Sequence, residues 1–420
     1  VTTHDHQRPL RIALLTYRGN PASGGQGVYV KHLSKALFDL GHQVEVLSGP
    51  PYPHLDSQIK LHRLPGLDLY NPDHLFHVKK IRELVRPLNM YEFLNMCTGS
   101  FPEPYTFGVR AHRYLQRQQH RFDIIHDNQC LAYGIGMIAK CGIPTVATIH
   151  HPITVDREEE LKAARSILQK IKIRRWYSFI KMQKRVARKL SHIITVSECA
   201  KKDIAQEFSI ESSRFRVIPN GVNVEYFYPV SNPARPDNSL IVTNSADTPL
   251  KGLRYLLEAV AQIKDKRQVH LTVIGEPKKN SVVKKLVGKL GIGSFVHFTG
   301  RIKNEEFAQY YANATVAVVP SLYEGFGIPA AEAMACGVPL ITTSGGALPE
   351  VVGDAGIIVP PADSMALAEA ITYLFDNKPA RDKYAEAGIV RVNSVFSWPR
   401  AAQEVVSVYR EAINGHGRFS

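Results

Sequence analysis

The sequence predicts an α/β protein built from two doubly wound, parallel-sheet domains, and three observations carry that prediction. The chain has 420 residues, too many for one ordinary hydrophobic core and enough for two domains of about 200 residues each. Short apolar runs that read as buried strands alternate with stretches of helical periodicity, in two successive sets. A polar stretch bearing prolines, residues 228–238, divides the sets. The boundary is expected near 220–238, with a first domain over 1–220 and a second over 221–396.

The first set opens on an apolar run at 11–17, followed by a turn rich in glycine and serine that ends at Gly27. Val30, Leu33, Leu37 and Leu40 then recur at helical spacing, with Gly41 placed as a C-cap, and a second strand is expected at 43–48. Strand, glycine turn, helix and strand make one right-handed βαβ unit. Further strands are expected at 123–127, 144–150, 192–197 and 216–219. The second set comprises 240–244, 269–275, 296–300, 315–320, 340–343 and 356–359. Residues 68–105 and 152–190 fit this alternation poorly. Sites in open α/β sheets form at the C-terminal ends of strands, so both stretches are candidates for shaping a binding surface on the first domain.

Composition narrows the classes. The hydrophobic fraction is 44% and the charged fraction 21%, as in an ordinary globular protein. No apolar run is long enough to span a bilayer. The five cysteines form no CxxC pair and no cluster with histidine, so neither zinc nor a disulfide framework is implied. Residues 1–6 are polar, so the reading expects no secretory leader there and a reducing, cytoplasmic setting. The net charge of +14 points to anionic partners. Much of it lies between Lys162 and Lys189, where eleven Lys or Arg residues occur with no Asp or Glu. One reading is a solvated helix face. The other is a basic helix whose Trp176, Tyr177, Phe179 and Ile180 enter the interface of an anionic membrane, on its inner, cytoplasmic side. Nucleic acid would also answer the charge, but no recognised nucleic-acid module is present.

The strongest chemical signal is Ser321-Leu-Tyr-Glu-Gly-Phe-Gly-Ile-Pro-Ala-Ala-Glu332. It follows an expected strand, and Pro329 suits the first position of a helix, where a missing N–H is harmless. Glu324 then lies in the turn and Glu332 in the first turns of that helix. Gly325 and Gly327 allow close backbone approach, and the helix start presents N–H groups and partial positive charge to a diphosphate. Carboxylates accept paired hydrogen bonds from hydroxyls. Acids complementing a helix dipole would account for Glu332 but not for the Glu-Gly-Phe-Gly turn.

Glu324 to Glu332 matches the E-x7-E motif, and the chain resembles the family 4 glycosyltransferases, retaining enzymes of the GT-B fold. That fold is two Rossmann-like domains facing across a cleft. Other matches follow in chain order: the Gly24-Gly25 turn, residues 122–127 (FDIIHD), 148–150 (TIH), 195–197 (TVS), 217–222 (VIPNGV) and 396–398 (FSW). The last of these opens a helix, 397–420, of the kind that returns to the first domain. The resemblance implies an acceptor-binding first domain and a second domain for a nucleotide-sugar donor. It places Glu332 on the ribose hydroxyls and Glu324 on the donor sugar, with the N–H groups of Gly325, Phe326, Gly327 and Ile328 orienting it. Lys251 would neutralise the leaving diphosphate, Gly24 and Gly25 would approach the phosphates or the acceptor, and His150 would touch the transferred sugar. His126 and Asp127 would orient a loop or bind an acceptor hydroxyl.

One departure stands out. The family usually carries an arginine five residues before the lysine, where this chain has Ala246. Arg301 is the first substitute and Arg18 the second. The resemblance implies transfer of a hexose-type sugar to a hydroxyl acceptor, with retention and without a metal or other cofactor; the basic run would suit a lipid-linked or cell-envelope glycan acceptor. Competing readings are a non-catalytic homologue that binds nucleotide-sugar or membrane, and a nucleotide-sugar epimerase on the same fold. A dinucleotide dehydrogenase is disfavoured, because the first glycine turn is not G-x-G-x-x-G.

Overall fold

The computed structural model describes residues 8–19, 25–69, 81–118, 121–164, 166–233, 235–243, 248–277 and 281–416. Gly24 and Ala246 lie outside them. The chain divides into two compact units: 1–196, 201–218 and 398–420 form one, and 197–200 with 219–397 form the other.

The first unit is built on seven strands: β1 (Arg11–Thr16), β2 (Gln43–Ser48), β3 (Lys60–Arg63), β4 (Ile124–Asn128), β5 (Thr145–Thr148), β6 (His192–Thr195) and β7 (Phe215–Val217). Their order is β3-β2-β1-β4-β5-β6-β7, and every pair is parallel. β1 and β4 are entirely or almost entirely buried, as expected of near-continuous apolar strands covered on both faces. β3 was not anticipated: KLHR has no apolar alternation, and it is an edge strand with no buried residue.

The helix Gly25–Asp39 buries Tyr29, Val30, Leu33, Ala36 and Leu37. Leu40, expected on that face, lies past the helix end and is 37% exposed. Gly41 caps the end as expected, at φ 87, with its N–H on the Phe38 carbonyl. The helix Trp398–His416 packs on the same core through Trp398, Ala401, Ala402, Val405, Val408, Tyr409 and Ala412, an i, i+3, i+4, i+7 stripe.

The poorly patterned stretches hold helices. Residues 81–116 carry Pro87–Cys97 and Glu103–Gln116. The basic stretch is broken into Thr154–Ala163, Ile167–Trp176, a 3-10 turn Tyr177–Phe179, and Ile180–Ala187.

The second unit has six parallel strands: β8 (Ser239–Thr243), β9 (His270–Ile274), β10 (Val296–Phe298), β11 (Val316–Val319), β12 (Leu340–Thr343) and β13 (Ile357–Val359). The order β10-β9-β8-β11-β12-β13 is the Rossmann-like order, with its reversal point between β8 and β11. Ligands in such sheets bind beyond the strand ends at that reversal, so the loops after β8 and β11 are where a site is expected.

Candidate active site

Those two loops carry the predicted residues. After β8 a 3-10 turn, Pro249–Lys251, runs into Gly252 and the helix Leu253–Ile263. Gly252 sits at φ 66, and a Cβ there would lie 1.8 Å from the Pro320 carbonyl oxygen. Only glycine fits. The Leu322 N–H donates to the Leu250 carbonyl at 2.7 Å. These contacts fasten the lysine turn to the segment that follows β11. As a result the Lys251 ammonium meets Glu324 Oε1 at 2.7 Å, and the Ser321 hydroxyl donates to the same oxygen at 2.8 Å. The glutamate side chain is 11% exposed and the lysine 30%.

Beyond Glu324 the chain turns through Gly327, at φ 100, into the helix Ile328–Ala335. Pro329 is the second helical residue, one later than the sequence suggested, because Gly327 rather than Ile328 takes the cap. No side chain caps this helix, and the N–H groups of residues 325–328 donate to no carbonyl among the described residues. Four successive donors at the positive end of a helix therefore have no backbone partner among the described residues. Phe326 does not face outward; its ring is buried edge-on against Phe396 with centroids 5.4 Å apart. The Gly325 carbonyl accepts from the Ser197 hydroxyl at 2.7 Å.

Glu332 lies one helical turn in. Its surroundings, including Tyr311 and Cys336, push its pKa up to about 8 by burial, and Lys251 offsets part of that rise. No donor among the described residues bonds its oxygens. The residue is nonetheless only partly covered, so the carboxyl presents hydrogen-bonding capacity that the protein leaves unused.

The floor under the turn went unnoticed in the sequence. After β12, Gly345 and Gly346 pass beneath it: a Cβ at Gly345 would lie 2.6 Å from the Leu322 oxygen, and one at Gly346, at φ 65, would lie 2.3 Å from the Glu324 oxygen. The Ala347 N–H donates to the Glu324 carbonyl at 2.9 Å, and the Thr343 hydroxyl donates to the Ser321 carbonyl. The local signal was a Ser-Gly-Gly triplet directly after an expected strand.

Among the described residues, Arg301 makes no hydrogen bond to this cluster. It follows β10 at the sheet edge, exposed, two strands from β8 or about 10 Å laterally. Arg18, the second candidate to replace the missing arginine, belongs to the first unit and is committed elsewhere. Its guanidinium binds Glu103 at 2.6 and 3.3 Å. Burial pushes the Glu103 pKa up to about 7 despite that partner.

His150 and Gly25 also belong to the first unit. Gly25 opens the helix after β1 and is exposed. His150 follows β5. Its backbone N–H donates to Gln129 Oε1 at 2.8 Å, and its Nε2 lies 2.7 Å from Asn128 Oδ1. Asn128 spends its amide N–H on the Gln26 carbonyl at 3.1 Å, so its oxygen faces the histidine and His150 Nε2 carries the proton. Nδ1 is left as a bare acceptor. The Tyr29 ring meets the imidazole edge-on at 4.8 Å, and burial holds the His150 pKa down to about 3.

Behind it, His126 is fully buried between Tyr409 and Thr148, each at 2.6 Å, and the Tyr29 hydroxyl lies 2.9 Å from the same Thr148 oxygen. Both ring nitrogens are used, which removes His126 from substrate contact. Asp127 is likewise buried, its pKa raised to about 7 by burial, and Oδ2 accepts from the Leu131 N–H at 2.7 Å. It orders the loop in which Gln129 and Leu131 adopt left-handed φ of 54 and 51.

The expectation for Trp176, Tyr177, Phe179 and Ile180 is corrected. Tyr177 and Ile180 are buried, and Trp176 stacks on Phe101 at 5.2 Å with Phe179 edge-on to the same ring at 5.4 Å. Tyr177 and Ile180 are therefore not available to an interface, while Trp176 and Phe179 are half-buried against Phe101.

Comparison with known proteins agrees with this architecture. Residues 23–226 match the model described as Glycosyltransferase Family 4, and residues 227–391 match Glycosyl transferases group 1. The MMP alpha-(1->4)-mannosyltransferase of Mycolicibacterium hassiacum is 45% identical over 96% of this chain and 98% of its own. The chain belongs to the family 4 glycosyltransferases. This glycosyltransferase is also 25% identical to the D-inositol 3-phosphate glycosyltransferase of Streptomyces bingchenggensis, over 98% of this chain and 92% of that one. Among solved structures, sucrose-phosphate synthase from Thermosynechococcus elongatus superposes with a TM-score of 0.74 at 25% identity, covering 97% of this chain and all of that one. The glycosyltransferase therefore has the GT-B fold, two Rossmann-like units each on its own parallel sheet.

Proposed function

We propose that this glycosyltransferase moves a hexose from a nucleoside-diphosphate sugar to a hydroxyl of a glycan acceptor, with retention at the anomeric carbon. The second unit would hold the donor and the first the acceptor. Mannose is the first sugar to test, because the 45% identical relative is named a mannosyltransferase. The observation that carries the reading is the arrangement after β8 and β11: one cation, four N–H groups with no backbone partner among the described residues and two carboxyls of different character. A diphosphate would take the N–H groups and compete with Glu324 for the ammonium of Lys251. Glu324, released, would accept from sugar hydroxyls. Glu332, held largely as the neutral acid at pH 7 by its raised pKa, would both donate to and accept from ribose hydroxyls.

In the reaction, the C1–O bond to the diphosphate breaks and a bond from C1 to the acceptor oxygen forms on the same face. The leaving phosphate oxygen takes the acceptor proton. Lys251 and the N–H groups stabilise the charge that grows on the diphosphate, and His150 Nδ1 would accept from a hydroxyl of the transferred sugar. The acceptor is proposed to be lipid-linked or part of a cell-envelope glycan, with the enzyme peripheral on the inner face of an anionic membrane.

The test has two stages. Thermal-shift screening with UDP-, GDP- and ADP-sugars identifies the donor, since a ligand that binds only the folded chain raises its stability. Acceptor-dependent nucleotide release, with the anomeric configuration of the product read by NMR, then tests the transfer. Donor binding without release across a panel of glycans, or an inverted product, would overturn the reading.

A further inference from the structure

The basic run supplies a surface that sugar transfer does not use. The helix Ile167–Trp176 starts at Ser166, whose side chain accepts from the Gln169 N–H, and it buries no residue. At about 100° per residue, Ile167, Leu168 and Ile171 fall on one stripe, and they are 78%, 72% and 54% exposed. Lys170 and Arg174 border the stripe on one side and Lys172 on the other, while Arg175 falls within it. The opposite side carries Trp176, stacked on Phe101. Among the described residues no carboxylate pairs with Lys170, Lys172 or Arg174. Arg175 Nη2 donates to Thr98 Oγ1 at 3.0 Å, at the end of the Pro87–Cys97 helix. That helix carries a second exposed stripe of the same spacing, Met90, Tyr91 and Leu94.

A helix on a globular protein ordinarily turns its apolar stripe to the core and its charges to water. Here the stripe faces outward with cations on both flanks. That is the layout of a helix lying in a bilayer interface, where apolar side chains enter the acyl boundary and Lys and Arg stems carry their charges to the phosphates. Eleven basic and no acidic residues between 162 and 189 add attraction to anionic headgroups. A symmetric contact with a second copy would set these cations against themselves. A nucleic acid would meet the charges but leave the stripe in water.

We propose that the helix Ile167–Trp176 is a docking surface for an anionic phospholipid bilayer, into which Ile167, Leu168 and Ile171 insert. The proposal rests on the peripheral position put forward above and names the residues that would create it. The experiment compares the full chain with Ile167→Asn/Leu168→Asn/Ile171→Asn. Both are sedimented with vesicles of phosphatidylcholine plus phosphatidylglycerol, and of phosphatidylcholine alone, at low and high salt.

The wild type is expected to bind the anionic vesicles at low salt and to be released by high salt. The triple variant is expected to bind them at least about tenfold more weakly, with unchanged thermal unfolding and unchanged transfer to a water-soluble acceptor. Equal binding of the variant overturns the helix assignment while the peripheral position survives. No binding of the wild type overturns both. A concentration-dependent dimer that the variant abolishes, with vesicle binding unaltered, assigns the stripe to a second copy instead. Failure of the transfer reading would appear separately, as no transfer by the wild type in solution.

Discussion

The Glu324 turn in the second unit and the His150 corner in the first are built by opposite means. The turn is made by backbone. Gly252, Gly345 and Gly346 let three stretches of main chain touch, Gly327 turns the middle one at positive φ, and the chemistry is hung on that frame. The corner is made by side chains. Asn128 and Gln129 hold His150 by hydrogen bonds, and Tyr29, which meets its ring edge-on, is itself fixed through Thr148, His126 and Tyr409. A backbone frame fails abruptly when a glycine gains a methyl group. A side-chain relay should lose one bond at a time.

The sharpest break of this contrast is Gly252→Ala. Its Cβ would overlap the Pro320 oxygen at a positive φ, so the Lys251 turn must shift. The expected loss is about 3 kcal/mol or more, read by urea unfolding, together with donor-induced thermal stabilisation. An unfolding midpoint equal to that of the wild type would show that the frame is softer than its geometry implies.

Next come Lys251→Ala and Glu324→Ala, each expected to lower turnover roughly tenfold or more with an intact fold. Removing either also leaves its ion-pair partner without a counter-charge. Full activity in both would remove the site from the second unit.

The corner is expected to respond more gently. Asn128→Ala should leave the fold intact and reduce turnover several-fold, on the order of one lost hydrogen bond to a positioned group. The diagnostic is ¹⁵N NMR of the histidines, with His150 assigned by its own substitution. The wild type should carry the Nε2–H tautomer, and Asn128→Ala should lose that bias. An Nδ1–H tautomer in the wild type would contradict the assignment. The smallest effect is expected for Tyr409→Phe, which removes one hydroxyl from His126. About 1 kcal/mol of stability should go, with turnover unchanged.

Glu332 gives a pH test of the frame. Its folded pKa of about 8 lies above the ordinary carboxylate value of 4.5, so between those values the folded chain holds a proton that the unfolded chain has released. That contribution is fully present below about 4.5 and is lost as pH rises through 8. Glu332→Gln should remove this downward slope relative to the wild type, measured as the difference in unfolding midpoint across that window. Parallel pH profiles would place the carboxyl in a wetter setting.

The same contrast explains what was legible in the sequence. Except for the edge strand β3, strand positions in both sheets were readable from apolar runs, because parallel strands buried on both faces are continuous in sequence. The Glu324 turn was readable because its demands are on residue type: glycine where the backbone crowds, proline in the first turn, acids near the helix start. Gly345 and Gly346 escaped because their reason lies in a carbonyl some twenty residues away, not in their neighbours. The partners of His150 and His126 escaped for the same cause at longer range. His126 meets a tyrosine 283 residues further along, and no local pattern reports such a pair. The membrane-facing expectation fails for Tyr177 and Ile180, which are buried, because no local pattern reports that Phe101 provides a surface against which this stretch packs.

The Tyr409–His126 bond has a consequence for the order of events during synthesis. The first unit is started by residues 8–218 but needs the helix Trp398–His416 to complete its core. The second unit is almost wholly one uninterrupted segment, 219–397. A ribosome delivers the chain from the N-terminus, so the stretch that begins first is able to close last. It must wait, with the Tyr29 and Val30 face of the helix Gly25–Asp39 uncovered, while the entire second unit is made. The part of this enzyme most dependent on chaperones during translation should therefore be its N-terminal half.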